Sequence, residues 1–88
     1  MDRQAAVGDV VMYHDPNGRC FSALVTEVWT PTCINVVLVS GNKDKQDEYG
    51  RQIERQTSLS HKSTMNVHGF YWRFPDEEPN PYVPPAAT

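Results

Sequence analysis

At 88 residues the chain has room for one domain. A chain of that size buries only about 60–65% of its unfolded surface, so it can build one small core. A formal net charge of −3 and a pI near 5.4 offer no overall positive field to a phosphate backbone, and general nucleic-acid binding is not expected. No apolar run approaches the roughly 18–20 residues that span a bilayer, and Met1-Asp2-Arg3-Gln4-Ala5-Ala6 has neither the basic start nor the apolar stretch of a signal peptide. The expectation is a soluble intracellular protein with no membrane partner.

Val7-Gly8-Asp9-Val10-Val11-Met12-Tyr13 opens the chain as a β-strand. Asp15-Pro16-Asn17-Gly18 then places proline where φ near −65° is wanted and Asn-Gly where positive φ is wanted, which predicts a chain reversal. Across that hairpin His14 is expected to face Arg19, and Tyr13 to face Cys20, with Val11 and Val25 lining an interior. The long strand over 21–29 carries Phe21, Ala23 and Val25 on one face and Leu24 and Val28 on the other. With both faces partly apolar, it is expected to bend around a core. Ile34, Val36 and Leu38 alternate with Asn35, Val37 and Val39 in a run rich in β-branched residues, which predicts the central strand.

Residues 41–50 are polar, charged and bounded by glycines, which reads as an exposed loop where function concentrates. Over 51–60 only Ile53 and Leu59 are aliphatic, and a strand around 56–60 is preferred to a short helix. In Gly69-Phe70-Tyr71-Trp72-Arg73-Phe74 a period of two puts Phe70, Trp72 and Phe74 on the core face and Tyr71 and Arg73 on the outward one. After Pro75 the segment 76–88 is acidic and proline-rich, and is expected to be extended and poorly ordered alone. The domain assignment is therefore a barrel over 1–75 and a tail over 76–88.

The chemistry-bearing residues form no familiar catalytic or metal motif. Cys20 and Cys33 fall at opposite ends of the predicted 21–39 hairpin, further apart than the roughly 7 Å a disulfide tolerates, so two free thiols are expected. Neither belongs to a C-x-x-C pair, and His14, His61 and His68 have no metal-ligand spacing. Ser58-Leu59-Ser60-His61 lacks the strained Gly-x-Ser-x-Gly elbow of a nucleophile. Asn42-x-Asp44-x-Gln46 continues with Asp47 and Ile53 where a calcium loop needs glycine and glutamate. No enzyme, no metal and no cofactor are expected.

Aromatic residues carry the binding expectation. Tyr13, Trp29, Tyr71 and Trp72 are the candidates for a cation cage or a base-stacking platform, with core packing preferred for Trp72. Tyr71 and Arg73 make the best outward pair, Arg73 being suited to a phosphate or carboxylate. His61 belongs to a locally basic stretch with Lys62 and His68. Trp29, Tyr71, Arg73, Tyr13 and His61 are thus the expected partner-binding residues.

Gly8-Asp9-Val10-Val11-Met12-Tyr13, Ala23-Leu24-Val25-Thr26-Glu27-Val28-Trp29, Ile34-Asn35-Val36-Val37-Leu38 and Trp72-Arg73-Phe74-Pro75 resemble a family of small, mostly uncharacterised bacteriophage and prophage proteins that looks like an SH3-like barrel. The resemblance covers most of residues 7–75. Phe74 stands where that family usually closes with tryptophan, and the segment after Pro75 is longer than the family's. What the resemblance implies is an all-β fold: a small, strongly bent, five-stranded antiparallel SH3-like barrel with a disordered Pro-rich C-terminal tail, working in the host cytoplasm. It supplies no catalytic or binding residues. The functional expectation is a non-catalytic binding module that recognises a protein, or a second copy of itself, in host takeover or counter-defence through an open edge strand. The alternatives are capture of a small nucleotide signal by Arg73, His61 and aromatic faces across an oligomer interface, and a structural or assembly component of the phage.

Overall fold

Asp15 fixes the first hairpin. In the computed structural model, which describes residues 3–64 and 68–84, β1 (Val10–His14) and β2 (Cys20–Val28) pair antiparallel. Between them the Asp15 Oδ1 accepts the backbone N–H groups of Asn17 (3.0 Å) and Arg19 (2.7 Å), and Gly18 takes φ +84°. The capped Arg19 N–H keeps that residue in the loop. His14 therefore pairs with Cys20 and Tyr13 with Phe21, one residue away from the expected register. The shift puts Phe21 beside Tyr13, rings stacked at 6.2 Å, and leaves Cys20 exposed at the strand end.

β3 (Cys33–Val39) is the central strand as expected, paired with β2 on one side and β6 (Ile53–His61) on the other. Ile34, Val36 and Leu38 are buried. β6 is nine residues long rather than the 56–60 segment expected, because two bulges let it follow the bent β3. One lies in β2 between Val25 and Glu27, and turns Val28 toward the core. The other makes Ile34 face Leu59 while Val36 faces Gln56. There Ser58 takes φ 55° and donates its N–H to Asn35 Oδ1 (2.9 Å). The 41–50 segment is exposed as expected, yet it contains β4 (Gln46–Asp47), which forms a small separate ladder with β5 (Gly50–Arg51).

The order β1-β2-β3-β6-β7 closes into a barrel, and the all-β, five-stranded architecture is the one expected. Four seams are antiparallel. The fifth, between β6 and β7 (Tyr71–Arg73), is parallel and has only two pairs, Ser60↔Tyr71 and His61↔Trp72. Residues 53–59 of β6 consequently rest on β3 alone, which leaves an edge in an otherwise closed wall.

Gly69 and Phe70 decide how β7 enters. Gly69 has φ +88°, and a Cβ there would lie 2.1 Å from the Asp15 carbonyl oxygen, so only glycine fits. Phe70 also has positive φ, 60°, and donates its N–H to the His14 carbonyl (2.6 Å). That turn expels Phe70 from the core face assigned to it: its ring is partly exposed, edge-on to Tyr13 at 6.4 Å. Trp72 and Phe74 enter the core as expected, packed edge-to-face at 5.0 Å. The Trp72 indole N–H donates to the Thr32 carbonyl (3.0 Å), so its one polar atom is satisfied in the interior.

Candidate functional site

The segment after Pro75 controls the fate of the residues singled out from sequence. Tyr71 points away from the barrel core, as a period of two requires, but it is only 3% exposed. It stacks on His14 with ring centroids 4.6 Å apart, and its hydroxyl accepts the Asn80 N–H (2.9 Å). Arg73 donates through Nε to His14 Nε2 (2.9 Å) and through Nη1 to the Glu77 carbonyl (2.8 Å). Burial and the Arg73 charge lower the His14 pKa, against the pull of Asp15. The expected outward pair is therefore covered rather than free, because residues 76–84 run back over it. Asp76 ties down to Arg3 in a two-pronged pair (3.0 and 2.7 Å), Lys62 reaches the Glu78 carbonyl, and the Tyr82 hydroxyl donates to the Pro16 carbonyl (2.7 Å). Residues 85–88 of the expected tail lie outside the described residues.

His61 is 3% exposed and serves the same seam. Ser63 donates its backbone N–H to Nδ1 (3.1 Å), so the neutral ring carries its proton on Nε2 and presents it to Glu77 Oε1 at 2.8 Å. The Ser63 hydroxyl also lies 2.9 Å from Nδ1. A Ser-His-Glu row of this kind resembles a nucleophile with its base, but the Nδ1 lone pair is already taken by a backbone N–H, which removes the proton acceptor that catalysis needs. Burial raises the Glu77 pKa, but the Phe74 N–H (2.8 Å) and the His61 hydrogen bond outweigh it and hold the carboxyl below its ordinary value. Arg73 and His61 both spend their hydrogen bonds within the chain, and neither lines the two cavities described next.

Trp29 differs from the other candidates. It is 60% exposed at the β2–β3 turn, and its indole N–H donates to Asn35 Oδ1 (2.9 Å), the same oxygen that holds Ser58. Tyr13 is 2% exposed, with burial, Asp15 and Glu54 pushing its pKa up to about 12.

Two surfaces emerge that single residues did not announce. On the outer wall Val10, Leu24 and Val37 lie abreast across β1, β2 and β3, and Val39 faces Ile53 across β3 and β6. Val10, Leu24, Val39 and Ile53 are all exposed, and with Val37 they line an almost wholly carbon groove of about 160 Å³. The apolar outer face of β2 was readable in the sequence; Ile53 joins it only through the β6 register. The second surface is a polar mouth of about 230 Å³ at the other side of the same strands, lined among others by Tyr13, Asp15, Phe21, Glu54 and Gln56. It exists because the inward positions in the first half of β6 are Glu54 and Gln56, whereas those in the second half are Leu59 and His61. Among the described residues no group of three or more His, Cys, Asp or Glu is placed to hold a metal ion, and no helix is long and apolar enough to cross a membrane. No protein-family profile, no curated protein and no solved structure matches the chain.

Proposed function

We propose that this protein is a non-catalytic binding module that docks another protein chain on the outer wall formed by Val10, Leu24, Val37, Val39 and Ile53. The observation that carries the reading is the contiguity of that strip: four aliphatic side chains stand largely in solvent around a groove with almost no polar lining. Scattered surface aliphatics are ordinary, but a contiguous apolar patch marks an interaction surface. Each buried methylene is worth about 0.8 kcal/mol, so a partner covering the strip gains most of its affinity there. Trp29 is the one aromatic candidate from the sequence that remains accessible for a peripheral contact. The 53–59 edge of β6, which among the described residues pairs with no strand but β3, offers a further contact beside Ile53. A role in host takeover or counter-defence rests on the resemblance to phage proteins alone.

The test compares the parent with Leu24→Glu. The variant is expected to melt within a few degrees of the parent, because Leu24 is outside the core, and to lose the protein that the parent retains from a bacterial lysate or its own concentration-dependent self-association by sedimentation. A parent that retains nothing and stays monomeric, or a Leu24→Glu variant that binds like it, overturns the reading.

A further inference from the structure

The cover over β7 is held in different ways along its length. Asp76 and Glu77 are tied in by their own carboxylates, Asp76 to Arg3 and Glu77 to His61 and the Phe74 N–H. From Glu78 onward the bonds pass to the main chain. Lys62 Nζ donates to the Glu78 carbonyl, His68 Nδ1 donates to the Val83 carbonyl, and the Asn80 N–H donates to the Tyr71 hydroxyl (2.9 Å). Side chains add to this at Asn80, whose Nδ2 donates to the Lys62 carbonyl (3.0 Å), and at Tyr82, whose hydroxyl donates to the Pro16 carbonyl (2.7 Å). The Tyr82 ring lies over Gly18, where a Cβ would come within 3.0 Å of it.

Such bonding is that of a groove reading an extended peptide. Asn80 is half-buried, whereas Glu78, Pro79, Pro81, Tyr82, Val83 and Pro84 are exposed. Little apolar area therefore holds 78–84 down, and a segment so held opens at small cost while the core stays folded. The residues beneath it belong to the barrel: Tyr71 lies on β7, stacked on His14 at 4.6 Å, Gly18 lies in the first turn, and Lys62 directly follows β6. Opening the cover leaves the seat in place.

The chemistry of the seat defines what fits it. Lys62 and His68 bring donors to carbonyls, and Tyr71 brings an acceptor to one amide. A seat richer in donors for carbonyls than in acceptors for amides suits a chain short of N–H groups, and proline at 79, 81 and 84 removes that group. Proline also holds a segment extended before it binds, which lowers the entropy lost on docking.

We propose that the seat formed by Gly18, Lys62, His68 and Tyr71 docks an extended, proline-interrupted segment of another protein, of the pattern Pro-Asn-Pro-Tyr, and that residues 78–84 are its tethered occupant. A segment on so short a tether competes at an effective concentration of about millimolar, so a partner binds tightly once 78–84 is loosened. The seat shares no residue with the apolar strip and stands or falls independently of it.

The test is an NMR titration of the isotope-labelled full chain carrying Tyr82→Ala with the capped peptide Glu-Pro-Asn-Pro-Tyr-Val-Pro. The substitution removes an exposed ring, so the barrel is expected to keep its fold while the Gly18, Lys62 and Tyr71 resonances move. Added peptide is expected to return them toward their parent positions, with an affinity about tenfold or more above that for the parent, whose seat is filled. Asn80→Ala loosens the same segment at another point and is expected to behave alike, which covers the case of a Tyr82→Ala chain that does not fold. A peptide with alanine in place of each proline is expected to bind about fivefold more weakly, and so is the parent peptide to a loosened chain that also carries Tyr71→Phe. No return of the resonances at about 5 mM peptide, equal binding of the proline-free peptide, or equal binding by parent and loosened chains would overturn the proposal. A concentration-dependent dimer of the parent that the peptide disperses would place a second copy in the seat and overturn the assignment to another protein.

Discussion

Two sides of the barrel carry large side chains outward, and the chain treats them differently. At β7, Tyr71 is outward but covered by residues 76–84, and the cover is bonded through Glu77, Glu78 and Asn80. On β1, β2 and β3 the outward residues are Val10, Leu24 and Val39, and nothing in the described chain lies over them. Polar atoms explain the difference. The β7 side presents two imidazoles, a phenol and a guanidinium, each of which needs partners once water is excluded, and the acidic, proline-interrupted segment supplies the Glu77 carboxylate to His61, the Glu77 carbonyl to Arg73 and the Asn80 N–H to Tyr71. The strip across β2 and β3 has no such groups, so no described part of this chain is held there by hydrogen bonds, and its apolar side chains stay exposed.

That asymmetry predicts costs of very different size. Trp72→Ala opens a large cavity where the covered side meets the core, and is expected to cost about 3–5 kcal/mol in urea denaturation, close to the whole stability of a domain this small. A loss under about 1 kcal/mol would mean that the covered side is not part of the folding unit. Glu77→Ala removes the acceptor for the His61 Nε2–H and the Phe74 N–H, and is expected to cost about 2 kcal/mol at neutral pH. Because Glu77 has a lowered pKa in the folded state, its contribution is present above the ordinary carboxylate value of 4.5 and fades as pH falls through the lowered one. Parent and variant stabilities should therefore converge in acid; parallel pH curves would show that the charge of Glu77 plays no part in the cover. Val39→Thr, on the bare side, should change stability by no more than about 0.5 kcal/mol. A larger loss would place the strip against something within this chain and end the contrast.

Much of the barrel was legible. The positive φ of Gly18 in the first turn, the alternation of Ile34, Val36 and Leu38, and the Trp72 and Phe74 pair each follow from local rules and are in place, whereas Asn17, expected to share the positive φ, keeps an ordinary negative one. The candidate site was less so. Tyr71 and Arg73 were assigned to the correct face, but facing outward is exposed only if nothing folds over it, and the covering residues read as a solvated tail. His61 looked like one of a basic surface stretch because its partner Glu77 lies sixteen residues on. Tyr13 was named among the aromatics, but the polar mouth around it needed the inward parity of Glu54 and Gln56, which a bulge at Ser58 separates from that of Leu59.

The sequence by itself determined the strand content, the first turn, the central strand and the aromatic closure, because periodicity and φ preferences act over two to four residues. Tertiary structure alone decided the register after Asp15, the parallel β6–β7 seam, the cover over Tyr71 and the strip that Ile53 completes. Those depend on which distant groups satisfy one another's hydrogen bonds once water has been excluded, and no local pattern encodes that.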